Sequence, residues 1–467
     1  AVVIEAHSLQ LLAASKVFEK QLLDHAELGA DHQLCLYSKD GRSKRRVVLV
    51  GVEDAALLDA AEPLMRLVYS QPLPADISTQ PEKLLQIYQL ADQVEATGCM
   101  SACTAALAAV PIENLQPSHI NFVLQLFHDT QLASTSGDLQ RLQANCEARL
   151  MQSYGDACKV IKDQSAGGLR QQFGSLPFPA LLHWVKSEQL ATDSENTIMA
   201  LLHYWRGRQV HNSRSSAAIA AQMEQLAAHV RVPLLSPLFS PGEFLPVPWF
   251  QPRTKLHHAL LAKAHQAREF DVERLQRSDI GCPPAWFSKQ PRPRSPTAVS
   301  ELCVEVTEAQ IKQGIESAKA GKTVWWDSPV NFIMGFEVGF SLQLVLRNGA
   351  VALGGFLKVL GGWSGNESED GHLPVYVLAD ISFAAAQGGA AQAHIKSLQT
   401  FLGKQSGSRG FWDHPKPAPI NAASDLAPWI KAGKMTAAAV LRQIDGLDVS
   451  QPAAAAAAAA PARAPAR

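Results

Sequence analysis

Over the first 110 residues the apolar positions recur mostly at helical spacing. Between residues 7 and 23 they fall at Leu11, Leu12, Val17, Phe18, Leu22 and Leu23, which predicts a helix. Two short apolar runs follow at 34–37 and 47–50. Asp40-Gly41 and then Arg42, Lys44, Arg45 and Arg46 lie between them, so this stretch reads as two strands joined by a basic loop. Residues 53–69 are helical again, interrupted by Pro63. Pro81 suits a first helical turn, where a missing N–H costs nothing. Leu84, Leu85, Tyr88, Ala91 and Val94 then make one stripe at spacings of three and four. Gly98 is expected to end that helix, and another is expected to run through Cys103 and Leu107 to Val110.

Residues 111–268 read as wholly helical. Thr192 and Glu195 fit a capping box, in which each side chain would satisfy a backbone N–H near the other. Ile198, Leu201, Leu202 and Trp205 follow as one buried face, and Phe178, Leu181, Leu182, Val185 and Leu190 make a short helical partner upstream. Pro233 should stop one helix or start the next, and residues 255–269 should form a closing amphipathic helix. Residues 269–303 are rich in Pro and Arg. Cys282-Pro283-Pro284 and Gln290-Pro291-Arg292-Pro293-Arg294-Ser295-Pro296 predict an extended, solvated linker. In residues 304–445 the pattern changes to glycine-punctuated apolar runs of strand length, at 336–346, 350–360 and 373–383. Asn348-Gly349 sits between the first two as a hairpin signal. Residues 365–371 read as a polar loop. The expectation is a mostly antiparallel β domain, followed by a disordered Ala/Pro/Arg tail over 446–467.

Composition sharpens this division. The chain has 467 residues, 47% of them hydrophobic and 18% charged, enough for about three domains of roughly 150 residues. Lys plus Arg is 42 against 43 for Asp plus Glu, which argues against nucleic acid or an anionic membrane as the partner. No apolar run reaches the roughly 18 residues of a spanning helix, and no secretory signal pattern opens the chain. A first residue of Ala1 reads as a processed chain or a fragment. The seven cysteines, Cys35, Cys99, Cys103, Cys146, Cys158, Cys282 and Cys303, are scattered and odd in number. They read as reduced thiols of a nuclear or cytosolic protein. Cys99 and Cys103 share a helix face, but no second pair completes a zinc site, so they read as core.

A search for chemistry yields no catalytic, cofactor-binding or metal-binding residue. The adjacent His257 and His258 point to different faces. Gly354-Gly355 and Gly361-Gly362 lack a following Gly-Lys-Ser/Thr and read as turn glycines. Gly362-Trp363-Ser364-Gly365 begins like a nucleophile elbow, but residue 366 is Asn366, not glycine. The acidic pairs Glu53-Asp54 and Glu369-Asp370 read as solvated surface. Trp325-Trp326-Asp327 is either an anchor on one sheet face or an aromatic platform for a partner. The chain reads as a non-enzyme.

The order of the blocks resembles a known family. Residues 7–18, from His7-Ser8-Leu9 to Ser15-Lys16-Val17-Phe18, resemble the opening of a BTB/POZ domain. Leu67-Val68-Tyr69-Ser70 resembles its helix that ends in a Tyr-Thr/Ser pair, and residues 84–107, with Ala91-Asp92 and Cys103, resemble its last helical pair. Ser194-Glu195, Trp205 and Val230-Arg231-Val232-Pro233-Leu234 resemble the BACK domain that follows BTB in many adaptors. Gly339-Phe340-Ser341-Leu342, Phe356-Leu357 and residues 375–383 are similar to the β-rich C-terminal region of plant POZ-containing, light-response BTB proteins, and more loosely to MATH-type sandwiches.

The resemblance implies an α+β multidomain fold. An α/β BTB domain (1–110), lacking the helix and strand that normally precede the position of His7, would be followed by an all-helical BACK domain (111–268). A β-rich domain (304–445), MATH-like or a sandwich, would come last. It also implies a substrate adaptor of a Cullin-3-type ubiquitin ligase, pairing through BTB as a homodimer or heterodimer and presenting an unknown protein substrate. Tyr69 matches the BTB tyrosine that faces the cullin; its other reading is core packing at a helix end. A non-degradative scaffold or transcriptional co-regulator is the alternative, with Arg42–Arg46 and Arg292–Arg294 as nuclear-import signals. The expected location is nucleus or cytoplasm.

Overall fold

A computed structural model describes residues 8–20, 35–37, 44–46, 55–129, 137–211, 216–236, 283–362, 373–383, 392–402, 409–412, 419–444 and 447–449. The chain divides into two units, Ala1–Gln152 and Ser153–Arg467. Helices and antiparallel sheets make the fold α+β. His7, residues 47–50, the pairs Glu53-Asp54 and Glu369-Asp370, the helix expected at 255–269, His257, His258, the loop 365–371 and the tail beyond Val449 lie outside the described residues; Leu447–Asp448, expected to belong to a disordered tail, instead pairs as a short strand with Gln443–Ile444.

The first unit carries helices α1 (Ser8–Ala14), α2 (Ala61–Val68), α3 (Ala75–Ser78), α4 (Pro81–Gln93), α5 (Thr97–Ala109), α6 (Pro117–Asp129) and α7 (Gly137–Tyr154), the last crossing the boundary. Strands β1 (Cys35–Tyr37) and β2 (Lys44–Arg46) pair with Cys35 opposite Arg46. The ladder is thus centred between Asp40 and Gly41. That register puts the basic residues in the second strand, where the hydrophobic pattern had placed 47–50. Pro63 does not break a helix. A 3₁₀ turn over Ala55–Ala60 gives way to α2, so Pro63 falls in a first turn.

The end of α4 is also set differently from expectation. Glu95 takes the left-handed conformation (φ 52°) and Ala96 N–H bonds Ala91 O at 2.8 Å, while Gly98 lies inside the first turn of α5. Leu84, Ile87, Tyr88, Cys103 and Leu107 are buried between α4 and α5. His119 on α6 accepts the Gln116 N–H on Nδ1 and reaches Glu82 of α4 with Nε2, both at 3.1 Å.

The second unit opens with helices α8 (Ala157–Lys162), α9 (Leu169–Gly174), α10 (Phe178–Lys186), α11 (Glu195–His211) and α12 (Ser216–Ala227). Ile198, Leu201, Leu202 and Trp205 of α11 are fully buried, as their spacing predicts. Burial extends round the helix, from Glu195 through Leu202, so α11 is the axis of this half. The buried indoles spend their N–H groups on carbonyls, Trp184 on Tyr154 at 2.7 Å and Trp205 on Leu176 at 2.8 Å.

The β half comprises β3 (Glu301–Thr307), α13 (Glu308–Lys319), β4 (Val324–Asp327), β5 (Asn331–Ile333), β6 (Phe336–Arg347), β7 (Ala350–Gly362), β8 (Leu373–Phe383), β9 (Gln392–Leu402), β10 (Arg409–Trp412), β11 (Ile430–Lys431), β12 (Lys434–Ile444) and β13 (Leu447–Asp448). One antiparallel sheet runs β10-β7-β6-β4, with β5 also on β6. The other runs β11-β12-β8-β9, with β3 and β13 on β12. Asn348-Gly349 forms the expected two-residue turn, with φ of 51° and 77°. The double glycines are strand residues, not turns: Gly354-Gly355 and Gly361-Gly362 all sit inside β7, opposite β6.

The stretch expected to be a solvated linker is instead a packed strap over residues 283–300. Trp286 donates its indole N–H to Ala227 O at 2.8 Å. Thr192 N–H bonds Pro293 O and Ser295 N–H bonds Thr192 O, at 2.9 and 3.0 Å. Arg294 reaches Val449 O at 2.7 Å. Arg292 is buried: its Nε meets Glu195 Oε1 at 2.7 Å, and its other nitrogens donate to the carbonyls of Ser187 and His229. The proline pattern excluded helix and sheet correctly, but three prolines spaced by Arg and Ser carry side chains that plug into the helices. An import signal built on Arg292–Arg294 therefore loses its buried member.

This also overturns the expected capping box. Thr192 Oγ1 donates to Ser194 O, and the Glu195 carboxylate accepts from Arg292 and from the Arg231 N–H at 3.2 Å. Burial pushes the Glu195 carboxyl up, against the opposing pull of Arg292.

A second fastening lies at the β5–β6 turn. Met334 and Gly335 (φ 53° and 84°) lie against the start of α11, where Asp193 Oδ2 accepts the Met334 N–H at 2.7 Å and Asn196 Nδ2 donates to Met334 O at 2.9 Å. A Cβ on Gly335 would stand 2.6 Å from Asn196 Cβ and 2.9 Å from its backbone carbon. Gly349 has the same handedness but open space around it. Gly335→Ala should therefore cost about 2–4 kcal/mol and Gly349→Ala about 1 kcal/mol, measured as urea unfolding midpoints of the full chain. Equal losses would mean that the turn does not bear on α11.

Candidate protein-interaction site

Helix α2 ends on Tyr69, whose N–H bonds Met65 O at 3.1 Å. Ser70 then turns left-handed (φ 55°), unusual for a residue with a side chain, and Gln71 N–H bonds Arg66 O at 2.9 Å. The reversal throws Pro72 and Leu73 across toward α3. Between this crossing and α5 lies an open groove of about 520 Å³, lined by Leu67, Ser70, Pro72, Leu73, Ala102 and Ala106 among others. Ala102 and Ala106 are one helical turn apart, so small side chains line the groove on its α5 side. Tyr69 is half-buried and lies in sequence between two groove residues, Leu67 and Ser70. Chemically, the groove offers apolar contact and backbone at a helix end, the makings of a protein contact.

Behind the groove helix the environment is dry. Cys99 and Cys103 are buried on the inner face of α5. Burial pushes the Cys103 thiol up to about 12, with Cys99 adding to it, and burial with Asp92 and Cys103 pushes the Tyr88 phenol up to about 12. These groups stay protonated and act as packing. Among the described residues, no three His, Cys, Asp or Glu side chains gather as a metal site, and no helix is long and apolar enough to cross a membrane.

In the β half, strand alternation splits Trp325-Trp326-Asp327 between two faces. Trp326 lies against Gly314 of α13, where an added Cβ would meet its ring at 2.8 Å. Trp325 points the other way and is 38% exposed. Its ring meets Phe356 edge-on at 5.5 Å, with the Lys358 ammonium 4.5 Å above it. Lys358 also pairs with Asp327 at 2.9 Å, and Ser341 Oγ donates to the same carboxylate. Burial alone would push the Asp327 carboxyl up, but these two partners hold it below the usual range. One tryptophan is thus the anchor, and the other opens onto the surface.

Sequence reasoning named Tyr69, which is not among the residues lining the groove, and missed the groove that its neighbours Leu67 and Ser70 help to line. The signal was present in Ala102 and Ala106 and in the Pro72–Pro74 crossing, but nothing local says that the two segments face each other. No family model matches the chain, and no curated protein matches it.

The burial pattern sets thiol reactivity. In the native full chain, a maleimide should label the exposed Cys303 within minutes and leave Cys99, Cys103, Cys146 and Cys158 unlabelled until denaturant is added. Fast native labelling of Cys103 would contradict the packing of α4 on α5.

Proposed function

We propose that the chain is a substrate adaptor of a Cullin-3-type ubiquitin ligase, with a BTB domain over residues 1–110 that holds the cullin, a BACK-like helical domain over 111–268 and a β-rich, MATH-like or sandwich, domain over 304–445 that binds the substrate. The observation that carries this reading is the groove at the end of α2, lined by Leu67 and Ser70 on either side of Tyr69 in sequence. It is built by the helices that bear the BTB-like sequence elements, α2 with Leu67-Val68-Tyr69-Ser70 and α5 with Cys103. A second support comes from the BACK-like elements, which lie 36 residues apart and touch: Glu195 accepts the Arg231 N–H. In this reading the adaptor performs no covalent chemistry. Tyr69 and the groove contact the cullin, and the face around Trp325 belongs to the half that would engage a target.

The test is a titration of the full chain against the cullin N-terminal domain, with Tyr69→Ala and Ala106→Trp alongside. The reading expects micromolar or tighter binding, weakened about tenfold or more by either substitution, since truncating or blocking an interface anchor costs at least about 1.4 kcal/mol. Both variants are checked for unchanged circular dichroism. Absence of binding by the natural chain, or binding indifferent to both substitutions, would reject this site.

A further inference from the structure

Away from the groove, one carboxylate gathers two hydroxyls from a segment more than 130 residues away. Asp156 Oδ1 accepts from Ser295 Oγ at 2.6 Å, and Oδ2 accepts from Thr297 Oγ1 at 2.7 Å. The same carboxylate caps α8 by accepting the Lys159 N–H at 3.1 Å. Ser295 also accepts the Thr297 N–H at 3.1 Å, and it is only 4% exposed. This hydroxyl is therefore the lock of the strap's far end, as Arg292 is of its middle.

The strap owes little of its seating to its own amides. Pro291, Pro293 and Pro296 have no amide hydrogen to give, so side chains supply most of its attachment to the helices. Released, it is an extended Pro-rich segment in which Ser295 precedes Pro296 and follows Arg292 and Arg294. A serine directly before proline in an extended segment is the form that proline-directed protein kinases accept.

We propose that Ser295 is a phosphorylation site for a proline-directed kinase and that its phosphate keeps the strap off its seat. In the reaction the Ser295 oxygen attacks the γ-phosphorus of ATP and an O–P bond forms. The bond from γ-phosphorus to the β–γ bridging oxygen breaks, ADP leaves, and the hydroxyl proton passes to the kinase's base. The product carries close to two negative charges at neutral pH. Reseating would press them against the Asp156 carboxylate in a site with almost no room. Two cations of the strap's surroundings already have partners: Lys162 Nζ donates to Thr297 O, and Arg294 to Val449 O. Losing the seat also withdraws Arg292 from Glu195, so the effect spreads along the strap.

The test uses the full chain, a purified proline-directed kinase and ATP, with the site mapped by mass spectrometry and hydrogen exchange followed over residues 283–300. The expected result is phosphate on Ser295 and exchange of the strap and of the Thr192 amide faster by about tenfold or more, reversed by phosphatase. Ser295→Ala should take up no phosphate at this position and keep slow exchange. Asp156→Asn removes the charge yet still caps α8, so it should blunt the phosphate-induced rise several-fold. Failure of the kinase to modify Ser295 in the folded chain would overturn the proposal. So would a phosphorylated chain whose strap exchanges no faster than before.

Discussion

The second unit depends on one constraint, the burial of Glu195 opposite Arg292. Each side chain is only 2% exposed. A lone carboxylate or guanidinium in that position would cost several kcal/mol, so each requires the other. The partners are 97 residues apart in sequence. Satisfying them fixes the course of the strap, and the strap carries the chain from the helices to β3. With Arg292 seated, Thr192 gives its N–H to Pro293 O and accepts the Ser295 N–H, and Arg294 reaches Val449. The Met334–Gly335 turn closes on the same helix end, at Asn196. Helical and β halves are thereby one body, fastened at the start of α11.

What could be read from sequence was local. Pro81 as a first-turn residue, the apolar face of α11 and the Asn348-Gly349 turn depend on neighbours a few positions away, and each appears as expected. Even the bounds of β8, at 373 and 383, follow from its apolar run. Glu195 shows where this stops. Its spacing from Thr192 suits a capping box, but a buried guanidinium outcompetes a local N–H for a carboxylate, and nothing near residue 195 announces Arg292. The box that does form, Thr307 with Gln310, opens α13 inside a block read as β. There the signal was available, in Thr307 and the stripe Ile311, Ile315 and Ala318, and was masked by the strands around it. The strap failed for a different reason: proline content reports what a segment cannot be, and says nothing of what its arginines reach.

The candidate site was legible to the same degree. Tyr69 could be named from its motif, but the groove at the end of α2 is made by a left-handed Ser70 and two alanines on another helix, a juxtaposition that only folding supplies. The physical division of labour is clear within each unit. The first presents an apolar groove at a helix end, backed by a dry helical core. The second presents Trp325 on a sheet whose other face holds Trp326 against α13. The adaptor role proposed above would use such a pair of surfaces, one for a scaffold and one for a target.

The buried pair of Glu195 and Arg292 should make the helices and sheets of the second unit a single cooperative body. Native-state hydrogen exchange of the full chain tests it directly, by comparing the slowest amides of α11 with those of β6 and β12. The expected result is one shared opening free energy for all three, separating into two distinct values when Arg292→Ala removes the strap's anchor. Distinct values already present in the natural chain, or a shared value untouched by Arg292→Ala, would contradict it.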